Sequence, residues 1–251
     1  MRSRHPLNLK AVLMVTMATP TEQALDAPIS VLLSLMWLAS PALPIGGFSY
    51  SEGLEAAVDH GLVTNEASAT GWLTTQLELV QARGDMALIA KAIPALKTND
   101  FAEASRLNQW VLMTRETAEM RLQSVQMGRS LLDLLRNLNR LTSAQARWVE
   151  TQTPTLPMMM ALAFANSDAS VTHALHAYSF GWAENMTQAA IKTIPLGQSA
   201  GQRMLMALAR AIPTAVARAI ALPEEERVSF APHLAILSSR HEHQYSRLFR
   251  S

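Results

Sequence analysis

The chain of 251 residues contains no cysteine, which excludes disulfides and any metal site built on thiolates. Only 16% of its residues are charged, and these nearly cancel to a net charge of +1. No general electrostatic attraction therefore draws it to nucleic acid or to an anionic membrane. Aromatic residues make up 6%, and there are 10 glycines. No segment alternates polar and apolar residues with a period of two, no Asn-Gly or Asp-Gly hairpin turn occurs, and no repeat period emerges. No linker rich in Ser, Gly or Pro divides the chain, and no uninterrupted apolar run approaches the roughly 20 residues that span a bilayer.

What is present is Ala, Leu and Met, a usage that favours helix over sheet. Ile29 to Ala39 is apolar nearly all round, which predicts a buried helix. Thr64 reads as the cap of a helix running to Arg83, and Asp85 as the cap of the next. A long helical region follows Asp100, broken near Met113 to Glu116. Ser143 reads as the cap of a short helix ending at Trp148. Ser170 caps a helix to about Lys192, and Gln198 to Leu222 is helical with a kink or break expected at Pro213. Pro232 opens the last helix, expected to run to about Tyr245. The fold class is all-α: one globular domain of about ten helices over residues 29–238, followed by a tail over 239–251. Residues 1–28 carry Arg2, Arg4 and Lys10 before a short apolar run, Ala11 to Ala18, that superficially resembles a signal peptide. Thr16 interrupts the run, so a flexible or over-annotated leader is the reading adopted.

The densest information lies between Ser40 and Glu55. Pro41 and Pro44 hold the chain extended, Gly46 and Gly47 permit positive φ or close approach, and Ser49 with Glu52 reads as a capping box. Phe48 and Tyr50 are expected at the tip of this loop. Gly61 then stands where a left-handed helix cap belongs.

Catalytic and cofactor motifs fail on inspection. Gly197 to Arg203 lacks the lysine and hydroxyl of a phosphate loop, and Gly47 to Ser51 lacks the second glycine of a nucleophile elbow. His173 and His176 lie at helical spacing, as His241 and His243 flank Glu242, but neither pair has a third ligand. Met158, Met159 and Met160 point about 100° apart on a helix and fill core rather than converge on one ion. No catalytic residue, metal site or cofactor is expected. The segment Ser239 to Ser251 instead combines Arg240, His241, Glu242, Tyr245, Arg247, Leu248, Phe249 and Arg250, residue types that anchor interfaces.

Three stretches resemble one family. Leu38 to Glu55 is similar to the N-terminal signature of the UreF urease accessory family, Ala189 to Gln198 to its second signature, and Ser239 to Ser251 to its Arg-His-Glu…Ser-Arg-Leu-Phe ending. The resemblance implies an all-helical, non-enzymatic, cytoplasmic scaffold that forms a homodimer. It also implies that the scaffold bridges UreD (UreH in some organisms) to the GTPase UreG and docks on apo-urease during nickel insertion. It places Phe48, Tyr50, Glu55, Lys192, Arg240, His241, Glu242, Tyr245, Arg247, Leu248 and Arg250 in partner binding. Many relatives carry tyrosine at the Phe48 position, so any bond from its hydroxyl is lost here. The alternative is a nickel metallochaperone using His241 and His243 directly. Because this terminus is rich in interface residue types, the tail is expected to be mobile in the free protein and to order against UreD and the Ser40–Glu55 region on complex formation.

Overall fold

The computed structural model describes residues 29–250; the expected leader lies outside this range. Among the described residues there are eleven α-helices and no strand. They are α1 (Ile29–Ala39), α2 (Leu54–Asp59), α3 (Glu66–Gln76), α4 (Asp85–Lys97), α5 (Phe101–Thr114) and α6 (Ala118–Asn137), then α7 (Ser143–Val149), α8 (Leu156–Ala165), α9 (Val171–Thr193), α10 (Gln198–Ala221) and α11 (Pro232–His241).

The most apolar helices are the most central. Nearly every residue of α4 and α8 is buried, including Met158, Met159 and Met160, and the two helices pack on each other. Helices α5, α9 and α10 surround α4, while α6 lies against α8. Helix α9 also carries α1 and α2, and α11 sits across α2 and α6. At Gly128 of α6, an added Cβ would lie 2.6 Å from the Pro154 carbonyl oxygen, so this helix passes against backbone with no room for a side chain.

Local capping chemistry sets most helix starts. Asp100, Thr117 and Ser170 accept from the backbone N–H three residues on, and Asn65 with Ser68 forms a full capping box, one residue after the expected Thr64. Thr142, not Ser143, caps α7, again through a capping box. Asp85 is not a cap: Gly84 holds that position, and the Asp85 carboxylate turns inward to Arg115. Past Gln76, α3 widens into a π-helical turn, Leu77–Gln81. Gly61 has φ +70°, as its place after α2 requires.

Three expectations are corrected. Helix α1 is not enclosed: Val31, Leu35 and Leu38 face inward, but Ile29, Leu32, Leu33 and Met36 are 53–78% exposed. An all-apolar run does not say which face a neighbour covers, and α9 covers only one. Helix α10 runs through Pro213 without a break, because the proline sits on the exposed face, where water satisfies the carbonyl it leaves unbonded. By length and mean hydropathy α10 is able to cross a bilayer, yet Met204, Leu208, Ile212 and Val216 face the protein core. Helix α11 ends at His241 rather than Tyr245, so Arg240 and His241 belong to the domain's last helix and not to a separate tail.

Candidate functional site

The Ser40–Glu55 loop is held from beneath by a residue whose role the sequence disguises. Glu52 does not complete a capping box with Ser49; its φ is +50°, and Gly53, at φ +79°, precedes α2. Its carboxylate accepts from Trp182 Nε1 at 2.9 Å, Gln123 Nε2 at 3.1 Å and Gln81 Nε2 at 3.4 Å. One side chain thereby ties the loop to α9, α6 and the π-helical turn. Burial pushes the Glu52 carboxyl above its ordinary value, opposed by the Trp182 hydrogen bond.

Beside Glu52 lies a cavity of about 110 Å³ lined by Gln81, Asp85, Arg115, Tyr178 and Trp182 among others. Its charges are internally matched. Arg115 Nη2 donates to both Asp85 oxygens at 2.7 and 2.8 Å, and the Tyr178 hydroxyl donates to Asp85 at 3.4 Å. Burial and then the Asp85 charge drive the Tyr178 phenol well above its ordinary value, so it stays protonated. The Asp85 carboxylate is thereby held by two donors across the cavity wall.

The second centre gathers the tail. His241 is completely buried, with Nε2 at 2.9 Å from Glu55 Oε2 and Nδ1 at 3.0 Å from Glu119 Oε1. The backbone N–H groups of Leu248 and Phe249 donate to the two Glu55 oxygens at 2.7 and 3.0 Å. Arg247 Nη1 reaches Glu119 Oε1 at 3.3 Å, and the Arg250 N–H donates to the Ser49 carbonyl at 2.8 Å. Phe249 is buried and packs under Lys192, whose Nζ lies 5.8 Å from the ring centroid. The chain after α11 is therefore folded back on the Ser40–Glu55 loop, docked on its own domain in this structure.

Three motifs far apart in sequence meet here. Phe48, Ser49, Lys192, Leu248, Phe249 and Arg250 line one open groove of about 490 Å³. Phe48 and Leu248 present 64% and 70% of their surface to solvent, and Tyr245 is fully exposed. Arg240, Glu242, Arg247 and Arg250 are exposed around them.

Two expected contact residues are inside instead. Tyr50 is buried, its hydroxyl donating to Gln126 Oε1 at 2.6 Å, and Glu55 is buried beneath the tail. Neither is a surface contact; each fixes the loop. His243 is exposed while both nitrogens of His241 are engaged by carboxylates, so the two histidines do not converge on one ion in this conformation. Glu119 escaped the sequence reading altogether. An acid in the first turn of α6 reads as an ordinary helix-dipole partner, and nothing local points to His241, 122 residues away.

The family model of UreF matches residues 63–209, more than half of the chain. The urease accessory protein UreF of a Polaromonas species is 58% identical over 232 residues, covering 92% of this chain and all of that protein. The UreF protein of Paracidovorax citrulli is 56% identical, covering 92% of this chain and 94% of its own length. That of an Azoarcus species is 48% identical, covering 88% and 95%.

Proposed function

Because the chain belongs to the UreF family of urease accessory proteins, and is thus an accessory protein rather than an enzyme, we propose that it acts as the scaffold of urease maturation. In this reading it bridges UreD (or UreH) to the GTPase UreG and docks on the urease apoprotein as a cytoplasmic homodimer, so that GTP hydrolysis is coupled to nickel insertion. The observation that carries the reading is the convergence of the three motif segments on one groove, with exposed Phe48 and Leu248 set beside Lys192 and Arg250. Apolar tips ringed by cations fit a partner segment that presents carboxylates around an apolar side chain. Arg250 and Lys192 are the groups best placed to meet those carboxylates, and Phe48 and Leu248 supply the apolar anchors.

The test is co-purification of the tagged chain with UreD, UreG and urease subunits co-expressed from its own host. Phe48→Ala and Arg250→Ala should each reduce retention of at least one of these proteins by about tenfold, the equivalent of about 1.4 kcal/mol, with an unchanged far-ultraviolet circular dichroism spectrum. Wild-type retention by both variants would remove the groove from the interaction surface.

A further inference from the structure

The segment that carries Tyr245, Leu248 and Arg250 is not stapled down by apolar packing alone. Of its residues after Glu242, only Phe249 is buried. What holds it is a buried charge arrangement at the end of α11. The groups facing His241 are Glu55 from α2 and Glu119 from α6. Arg247 faces Glu119 from the returning chain, and the Glu242 carboxylate accepts from the Glu119 N–H at 3.3 Å. A neutral imidazole carries a single N–H, and a carboxylate has none. Both ring nitrogens are within hydrogen-bond distance of carboxylate oxygens, so the arrangement closes only with a second proton, on the ring or on a carboxyl. Burial raises the Glu119 carboxyl, against the pull of His241 and Arg247, in keeping with a proton retained among the three groups. Breaking such a buried set by removing one member leaves an uncompensated charge and is costly.

We infer that Glu55, His241 and Glu119 form a clasp that positions the partner-binding chain from Glu242 to Arg250, making Glu119 a positioning residue for partner binding although it lies outside all three motif segments. The inference rests on the reading of the Phe48–Lys192–Leu248–Arg250 groove as the partner surface. Glu55 links both halves of the device. Its Oε2 holds the ring of His241 and the amide of Phe249, its Oε1 the amide of Leu248. A segment positioned in this way has less conformational freedom to lose when a partner binds, which lowers the entropic cost of association.

A cysteine-free chain allows a direct test, because Ser246→Cys supplies a single attachment site for a nitroxide spin label. In that labelled background, Glu119→Ala should mobilise the nitroxide and reduce co-purification of the host's urease accessory proteins and urease subunits by about tenfold. Glu119→Gln, which keeps an acceptor for the His241 ring and for Arg247, should leave the label immobile and retention within about threefold of the parent. A Glu119→Ala protein with a mobile label and full retention overturns the positioning role. An immobile label in that protein overturns the clasp itself. Should Glu119→Ala lose its helical circular dichroism, His241→Gln carries the same two readouts with the same expected outcomes, since the one amide nitrogen of glutamine cannot reach carboxylates that lie at opposite nitrogens of the ring. Full retention by both Phe48→Ala and Arg250→Ala would overturn the surface reading and the positioning role with it, while the label would still report whether the clasp holds.

Discussion

A methyl group at Gly128 would meet the Pro154 carbonyl oxygen and the Thr155 carbonyl carbon, each at 2.6 Å. Both are backbone atoms, so neither can rotate away, and α6 must shift from the chain entering α8. Gly128→Ala should therefore lower stability by about 1–3 kcal/mol, despite the better helix propensity of alanine. An unchanged or raised urea midpoint would show that the contact is slack. The buried carboxyls make a second expectation. Glu52 and Glu119 are both raised above 4.5, chiefly by burial, so near and above that pH the folded protein holds protons that the unfolded chain has released. Stability then falls as pH climbs from about 4.5 through the raised folded values. Glu66 and Glu224 are shifted downward by their arginines and act in the opposite sense, but they are exposed and screened. In the double variant Glu52→Gln and Glu119→Gln the melting temperature should decline less over this range than in the parent. Parallel curves would dismiss the two carboxyls as its source. Single residues were the hardest to read from sequence. Glu52 follows Ser49 at capping-box spacing, and only the positions of Trp182 and Gln123, on helices far along the chain, disclose its real partners.

At the scale of elements, proline gives the sharpest contrast between local rule and outcome. Pro213 interrupts the hydrogen-bond ladder of α10 without ending the helix, because Met204, Leu208, Ile212 and Val216 keep it pressed on the core. Tertiary packing overrides propensity there. Pro213→Ala should restore one backbone bond and raise stability by about 1 kcal/mol or more, read as a higher denaturant midpoint. A lower midpoint would mean that the proline relieves some strain in α10. Most element boundaries were legible in sequence because their punctuation is chemical: Ser170 before α9, Gly61 after α2, Pro232 at the start of α11. The exposed face of α1 was not, since Ile29, Leu32, Leu33 and Met36 look the same in sequence as Val31, Leu35 and Leu38. Which side is covered depends on where α9 passes.

For the molecule as a whole, the returning chain is part of the folded body. Removing residues 239–251 takes away His241 and Phe249 and leaves the Glu55 and Glu119 side chains without their shared imidazole partner. Burial of a phenylalanine alone is worth about 1.5–3 kcal/mol. The truncated protein should thus melt about 5 °C or more below the parent while keeping most of its helical circular dichroism. A melting temperature unchanged by the truncation would mean that the segment is detached in solution. The sequence singled out the three segments that meet at the groove, two by their clustered Pro, Gly, Arg and aromatic residues and the one around Lys192 by family resemblance alone. It did not reveal that Tyr50 and Glu55 face inward, since burial of a charge is decided by residues nearly 200 positions away.

That separation has a kinetic side. The bond from Glu55 to His241 spans 186 residues and that to Phe249 spans 194. Contacts of such sequence distance are slow to find, because the loop between them must be closed before anything is gained. Here the closing entropy is reduced only when α3 to α10 have already packed and brought α2 near the end of α11. The groove is accordingly the last feature to appear during refolding, and a chain whose middle helices have docked wrongly cannot display it. On the proposed reading of the groove as the partner surface, recognition there would admit only molecules that have finished folding.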